Sequence, residues 1–155
     1  MTRWLNEQEQ EAWRAFLWTA QLLQDSLDRQ LRRDSGIPQT YYMVLVMLSE
    51  SPGRCLTMSR LAEATKGSAS RLSHAVARLE ERGWIRRAKH PEDGRTIVAE
   101  LTDEGFAALE EAAPGHVTEV RRVLFDQLTP EQVAQLSAIC HQALEILAPE
   151  AECES

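Results

Sequence analysis

The sequence lacks any long hydrophobic run. None of its apolar segments approaches the roughly 20 residues that an α-helix needs to cross a bilayer. The opening stretch, MTRWLNEQEQEAW, is acidic and has neither the basic flank nor the apolar core of a secretory signal. We therefore expect no membrane-spanning segment and a cytoplasmic location.

Cysteine is scarce as well. The three cysteines form no CxxC pair and have no histidine at metal-ligand spacing; they are Cys55, Cys140 and Cys153. An odd number without pairing indicates reduced thiols and excludes a disulfide framework or a zinc site. Cys55 and Cys140 lie among apolar neighbours, where cysteine acts as a small hydrophobe; redox sensing by a cysteine is the alternative.

Catalytic motifs are also missing. The sequence holds no GxSxG, no metal-spaced cluster and no glycine-rich phosphate loop, and its histidines are scattered at positions 74, 90, 116 and 141. The 155 residues provide one well-buried core but no room for a separate cofactor domain. We expect neither an enzyme nor a bound cofactor or metal.

Positive charge is in deficit overall, but not in the middle of the chain. The formal net charge is -7. Between Arg54 and Arg95, however, ten Lys and Arg face five Asp and Glu, a net of +5, whereas the rest of the chain carries seven against nineteen, a net of -12. A basic centre between acidic ends predicts that the middle of the chain binds a polyanion.

Apolar periodicity predicts a mainly α fold with one small β-hairpin. Caps and stops such as Gly36-Ile37-Pro38, Thr57, Ser68, Gly83 and Thr129 set the boundaries. The predicted helices are 7–33, 39–50, 58–65, 68–82, 103–127 and 130–149, and the two predicted strands are 84–89 and 95–101. Pro114-Gly115 is expected to kink or interrupt the fifth helix.

The helix after Ser68 has two unlike faces. At 100° per residue, Ala69, Leu72, Ala75, Val76 and Leu79 cluster on one side. Short and basic side chains fall on the other side: Ser70, Arg71, His74, Ala77 and Arg78. Such a helix fits the major groove of DNA, where Arg donates to guanine; a merely solvated polar face is the alternative.

The hairpin that follows favours DNA over that alternative. Asp93-Gly94 forms a tight reversal, and Arg95 lies at its tip with Lys89, Arg87 and His90 nearby. An arginine on a hairpin tip suits a narrow, electronegative minor groove. Asp93 either caps the turn or orients Arg95 through a salt bridge.

These segments, taken in order, resemble the MarR-type winged helix-turn-helix regulators. The resemblance rests on YYMVLVMLSESPG, MSRLAEAT, SRLSHAVARLEERGWIRR and DGRTIVAELTDEG, and the Asp-x-Arg wing followed by Leu-Thr-x-x-Gly is specific to the family. It implies a sequence-specific, double-stranded DNA-binding transcription regulator. The residues that the resemblance implies in DNA binding are Ser59, Arg60, Ser68, Ser70, Arg71, Ser73, His74, Arg78, Lys89, Asp93 and Arg95.

The resemblance also implies an assembly. Residues 1–155 form a single MarR-type domain, in which 5–37 and 103–148 are dimerisation helices, 38–102 the winged helix-turn-helix lobe and 149–155 a flexible tail. A homodimer implies a pseudo-palindromic operator with half-sites roughly 10 bp apart.

Family members often bind a phenolic or aromatic acid between the dimerisation helices and the DNA-binding lobe. The resemblance therefore implies a ligand-responsive repressor, with an effector site formed by Trp13, Trp18, Tyr41, Tyr42, Met47 and Arg87. Met43 is a further wall residue, and His74 an alternative carboxylate partner. Three other functions stay open: a ligand-blind regulator, a cysteine-redox-responsive regulator, and a winged-helix protein-interaction module. Peroxide-sensing relatives carry their cysteine in the first helix, where this chain has none.

Overall fold

The structure is a computed structural model that describes residues 1–148. The flexible tail expected at 149–155, and with it Cys153, lies outside the described residues. The helices, in chain order, are α1 (Glu7–Ser35), α2 (Gln39–Glu50), α3 (Met58–Thr65), α4 (Ala69–Glu81), α5 (Asp103–Val123) and α6 (Pro130–Leu147). The strands are β1 (Cys55–Thr57), β2 (Ile85–Lys89) and β3 (Ile97–Leu101). The predicted fold class, mainly α with a small β wing, is confirmed.

Side-chain caps fix where the helices begin. The hydroxyls of Thr57, Ser68 and Thr129 accept the backbone N–H three residues on, as the sequence predicted. Asn6 and Glu9 form a further capping box at the start of α1, with both hydrogen bonds at 2.8 Å. These caps hold the first turns of α3 and α4 in place, which determines where the exposed face of α4 begins.

The sheet has three strands, not the two of the predicted hairpin. Its order is β1-β3-β2, and both pairings are antiparallel. In β1, Leu56 pairs with Ala99 of β3, which makes β3 the central strand. The sequence prediction missed β1 because three residues are too few to show the two-residue alternation of a strand. This strand ties the segment before α3 to the wing.

The core of the lobe lies between α2, α3, α4 and the sheet. Its fully buried side chains include Leu45 and Leu48 of α2, Leu61 of α3, Val76 and Leu79 of α4, and Ala99 of β3. Each buried leucine contributes about 2 kcal/mol of hydrophobic free energy. The buried side of α4 therefore fixes the orientation of its opposite side.

Helix α5 differs from the prediction at two points. It runs without interruption through Pro114, and it ends at Val123 instead of 127. A short 3₁₀ turn, Phe125–Gln127, follows. The expected interruption at Pro114-Gly115 was wrong, and the alternative, a kink at this point, stays a prediction. Just beyond it, the Thr118 hydroxyl donates to the Pro114 carbonyl at 2.8 Å.

The described chain divides into two units, residues 1–119 and the part that begins at Val120. In the second unit, no residue of α6 is buried, and Ile139, Leu144, Ile146 and Leu147 are exposed. In the first unit, the amino-terminal half of α1 is exposed as well, including Trp13, Phe16 and Trp18. Each unit thus presents apolar side chains that the chain itself does not cover.

Candidate nucleic-acid interface

The two sides of α4 separate as its sequence predicted, except at Ala69. Leu72, Ala75, Val76 and Leu79 are buried against the core, whereas Ala69, which was predicted on the same side, is exposed in the first turn. The opposite face is exposed along its whole length: Ser68, Ser70, Arg71, Ser73, His74 and Arg78. The small serines leave room for another surface to approach the backbone closely. We refer to these six residues as the α4 face.

The two arginines of the α4 face differ in their partners. The side chain of Arg71 makes no hydrogen bond or ion pair with any of residues 1–148, so its five donors are free. Arg78 is engaged, since its Nη1 donates to Glu81 Oε2 at 2.8 Å. This exposed pair contributes little to stability and separates easily when a phosphate offers a better acceptor. Of these two arginines, Arg71 is the one that can bind an anion without first breaking an ion pair.

Helix α3 adds two more exposed predicted contacts. Ser59 lies in its first turn beside the capping hydroxyl of Thr57, 3.2 Å away. Arg60 is exposed next to it, with its Nη1 3.8 Å from Glu63 Oε2. Lys66 then adopts a left-handed conformation with φ of 52°, and Gly67 follows before the cap of α4. This compact connection fixes α3 relative to α4.

The tip of the wing is organised by Asp93. Its Oδ1 accepts the Arg95 N–H at 3.0 Å, its Oδ2 accepts the Thr96 hydroxyl at 2.8 Å, and its carbonyl accepts the Thr96 N–H at 3.0 Å. The Arg95 N–H and then the Thr96 hydroxyl lower the pKa of the Asp93 carboxyl, which therefore stays ionised. Of the two roles considered for Asp93, the structure shows the turn cap.

The turn leaves the side chain of Arg95 available. The residue is exposed, and its guanidinium has no partner among residues 1–148. Lys89, at the end of β2, is exposed too. The wing thus presents cationic side chains on a backbone that is held by hydrogen bonds.

Other arginines of the basic window are already engaged. Arg86 pairs with Glu100 across the sheet. Arg87 donates to Glu80 Oε2 through Nε at 2.8 Å and through Nη2 at 2.6 Å, and the pKa of Glu80 is lowered by this contact. Arg54 lies over the Phe106 ring, 3.8 Å from its centroid, and its Nη1 is 3.4 Å from Asp103. Arg71 and Arg95 therefore differ from these three arginines, because their guanidinium groups have no acidic partner within residues 1–148.

Close backbone contacts connect the wing to the end of α4. The Thr102 hydroxyl donates to the Gly83 carbonyl at 2.7 Å, and the Thr102 N–H donates to the Trp84 carbonyl at 3.0 Å. The same hydroxyl accepts the Gly105 N–H at 3.0 Å and so caps α5. A Cβ on Gly105 would lie 2.1 Å from the Trp84 oxygen. The Leu-Thr-x-x-Gly stretch is thus a close backbone contact that fixes the wing relative to α4.

The six residues predicted to bind an effector have different environments. Trp13 and Trp18 are 51% and 66% exposed, whereas Tyr42 is 4% exposed and packs against His116, with ring centroids 4.5 Å apart and the rings tilted by 40°. Tyr41 and Met47 are half-buried, and Arg87 is held by Glu80. These residues thus differ in exposure and in partners, and their role in binding an effector stays a prediction.

A cavity of about 390 Å³ lies instead between α1, α2 and α4. Its apolar lining residues are Met43, Val44, Leu72 and Ala75. Its other lining residues are Gln24, Asp25, Asp28, Gln39, Thr40, Thr65, Gly67 and Arg71. Of the wall residues considered from the sequence, Met43 lines it. The cavity borders the α4 face because Arg71 belongs to both.

No helix within residues 1–148 is long and apolar enough to cross a membrane. In the same part of the chain, no group of three or more His, Cys, Asp or Glu side chains is arranged to hold a metal ion.

The fold and the exposed basic face define a winged helix-turn-helix protein. Comparison with known proteins identifies the family: residues 35–96 match the model of the MarR family. Sco3205 of Streptomyces coelicolor, a MarR family transcriptional regulator solved in complex with DNA, is 52% identical and superposes with a TM-score of 0.92, covering 97% of this chain and 94% of that one. The chain belongs to the MarR family of DNA-binding transcriptional regulators, which are not enzymes.

Other relatives agree. AbsC, a MarR family transcriptional regulator from Streptomyces coelicolor, is 39% identical with a TM-score of 0.85, covering 99% of this chain and all of AbsC. The transcriptional repressor YetL of Bacillus subtilis is 29% identical over 89 residues, which are 57% of this chain and 53% of YetL. The match to YetL, like that to the repressor MprA of Escherichia coli, spans about half of the relative's length.

Proposed function

We propose that this protein is a homodimeric transcriptional repressor that binds a pseudo-palindromic operator in the cytoplasm. The observation that carries the proposal is the pair of unpartnered arginines, Arg71 on the α4 face and Arg95 on the wing. Both belong to one rigid lobe, because Thr102 ties the end of the wing to the end of α4. The DNA complex of Sco3205, 52% identical to this chain, supports the choice of partner.

In this proposal the α4 face enters the major groove. Arg71 donates to a guanine edge or a phosphate, while the serines allow close approach and His74 and Arg78 extend the contact. Ser59 and Arg60 of α3 bind the backbone of the DNA. Asp93 holds the wing turn so that Arg95 reaches the adjacent minor groove, where the negative potential is strongest, and Lys89 contacts a phosphate.

The uncovered apolar side chains support the homodimer. Exposed aromatic side chains on α1, such as Trp13 and Phe16, would aggregate unless another surface covered them. The second unit contributes Ile139 and Leu144 of α6. We therefore assign 5–37 and 103–148 to dimerisation and 38–102 to DNA binding. Two-fold symmetry then places the two half-sites roughly 10 bp apart.

The dimer is tested by changing α1. We expect Phe16→Asp to convert the protein to a monomer in light scattering coupled to gel filtration, because a charge replaces an apolar contact at the centre of the interface. Gln8→Asp is the control: it places the same charge at an exposed polar position of the same helix. A Phe16→Asp protein that remains dimeric would contradict the role of this surface.

Regulation by a ligand is preferred over regulation by cysteine oxidation. Burial, and then the neighbouring Glu100 carboxylate, raise the pKa of the Cys55 thiol, which disfavours the reactive thiolate. Cys55 is thus poorly suited to sense peroxide. Operator binding that peroxide abolishes in the parent but not in Cys55→Ser would overturn this preference.

DNA binding is tested with an operator selected from randomised duplexes. We expect Arg71→Ala and Arg95→Ala each to weaken operator binding about tenfold or more in fluorescence anisotropy, and to leave the dimer folded. Arg33→Ala is the control, since Arg33 is exposed on α1 and pairs with Asp34. If both lobe variants bound the operator as tightly as the parent, the assigned surface would be wrong.

A further inference from the structure

The cavity between α1, α2 and α4 carries two opposite charges without partners. Asp25 of α1 makes no hydrogen bond or ion pair with any of the described residues, and the same holds for Arg71 of α4. A carboxylate and a guanidinium that border one opening, and that pair with no residue among 1–148, provide acceptors and donors for a bound molecule.

Asp28, the third ionisable residue that lines the cavity, already has hydrogen-bond partners. Asp28 Oδ1 accepts the Gln39 N–H at 2.9 Å, and its Oδ2 accepts Arg32 Nε at 2.6 Å. Partial burial acts to raise the pKa of Asp28, but the hydrogen bonds from Gln39 and Arg32 outweigh it and lower the pKa. Asp28 therefore fixes α1 against the start of α2, and the charges left for a ligand are one negative and one positive.

Part of the cavity lining is apolar. Met43, Val44 and Leu72 contribute to it, and the volume of about 390 Å³ is in the range of small-molecule sites. An apolar body the size of one aromatic ring fits this volume. A ligand that matches the site must therefore bear a cation and an anion on such a body.

We propose that the cavity binds a small zwitterion, an amino-acid-like molecule whose cationic group pairs with Asp25 and whose anionic group pairs with Arg71. This differs from the purely anionic aromatic acid that the family resemblance implies, because Asp25 repels an acid that has no cationic group. The lining residues differ as well, since none of the six residues expected from the sequence lines this cavity.

The consequence for regulation rests on the proposed function. A ligand anion that holds Arg71 at the cavity withdraws it from the DNA phosphates or bases. Occupation of the cavity therefore lowers operator affinity, by an amount comparable to the loss of Arg71 itself.

The test uses three isosteric probes and the DNA-free protein. The probes are 4-(aminomethyl)benzoate, a zwitterion; 4-(aminomethyl)benzamide, a cation; and 4-ethylbenzoate, an anion. By titration calorimetry we expect the parent to bind the zwitterion about tenfold more tightly than either isostere. Equal or tighter binding of 4-ethylbenzoate, or no saturable binding of the zwitterion, overturns the proposal.

Two variants assign the charges to their partners. Asp25→Asn is expected to weaken the zwitterion and the cation about tenfold but not the anion, and Arg71→Gln to weaken the zwitterion and the anion but not the cation. Glu11→Gln removes a carboxylate from an exposed position of α1 and is the control. Uniform losses across the three probes in either variant would contradict the pairing.

A final measurement separates this proposal from the proposed function. Zwitterion at about ten times the parent's Kd is expected to weaken operator binding about fivefold in the parent and less than about twofold in Asp25→Asn. Tight operator binding by the parent that the zwitterion does not change, in spite of its binding, refutes the regulatory role and leaves the DNA-binding assignment intact. A ligand-free parent that does not bind DNA refutes the proposed function itself.

Discussion

Replacement of Gly105 by alanine tests the junction that holds the wing against α4. Gly105 is buried in the first turn of α5. An added Cβ would lie 2.1 Å from the Trp84 carbonyl oxygen, 2.9 Å from its carbonyl carbon and 2.8 Å from Leu101 Cδ1. Two of these three atoms belong to the backbone, so no side-chain rotation relieves the overlap.

The magnitude follows from the shift that is required. The start of α5 must move by about 1 Å, and overpacking of this kind costs about 3 kcal/mol. The movement also stretches the Thr102 hydrogen bonds to Trp84 and Gly83, each worth about 1 kcal/mol. The better helix propensity of alanine offsets about 1 kcal/mol. We expect the free energy of unfolding to fall by about 3 kcal/mol, and operator affinity to fall with it.

The assay is urea unfolding followed by circular dichroism at one fixed protein concentration. Gly115→Ala is the matched control in the same helix, because its added Cβ would meet the far end of the Gln30 side chain at 2.9 Å, and no backbone atom. We expect Gly115→Ala to change stability by less than about 1 kcal/mol. Equal losses in the two variants, or a Gly105→Ala protein as stable as the parent, would refute the reasoning.

Three further predictions concern the cap of α4, the wing and a half-buried histidine. Ser68→Ala should cost about 1 kcal/mol in urea unfolding, since its hydroxyl caps α4, whereas Ser70→Ala should be neutral. Asp93→Ala should weaken operator binding about fivefold by freeing the turn that positions Arg95, whereas Glu92→Ala, which removes an equal charge, should not. Burial lowers the pKa of His116, so the unfolded chain binds more protons as the pH falls below about 6.5, and the folded state loses stability there. His116→Phe, which keeps a ring beside Tyr42, should reduce the loss between about pH 7 and about pH 5.5 by up to about 1 kcal/mol; an unchanged pH profile would contradict this.

Local signals made much of the fold predictable. The capping hydroxyls of Thr57, Ser68 and Thr129 lie where the helices begin, and Gly83 adopts the positive φ, 74°, that its position after α4 requires. The buried and exposed sides of α4 follow from a helical period alone. These features depend on a few neighbouring residues, which is why the sequence reveals them.

Features that depend on distant residues could not be predicted. Strand β1 becomes visible only through its pairing with β3, and Gly105 is required only because Trp84 lies against it. The engagement of Arg87 by Glu80 likewise arises from the packing of β2 against the end of α4. For the effector site, the sequence points to aromatic residues, but it contains no signal that places Asp25 and Arg71 on one cavity.

The salt dependence of operator binding tests most directly whether the α4 face and the wing bind DNA. Displacement of counterions by 6–10 phosphate contacts should lower the parent's affinity roughly 10³- to 10⁵-fold between about 50 and about 200 mM salt. We expect Arg71→Ala and Arg95→Ala to bind more weakly, each with a log–log slope shallower by about 1, and Arg33→Ala to keep the parent's slope. A nearly flat salt dependence of the parent, or slopes unchanged in both lobe variants, would contradict the assignment of this surface to DNA.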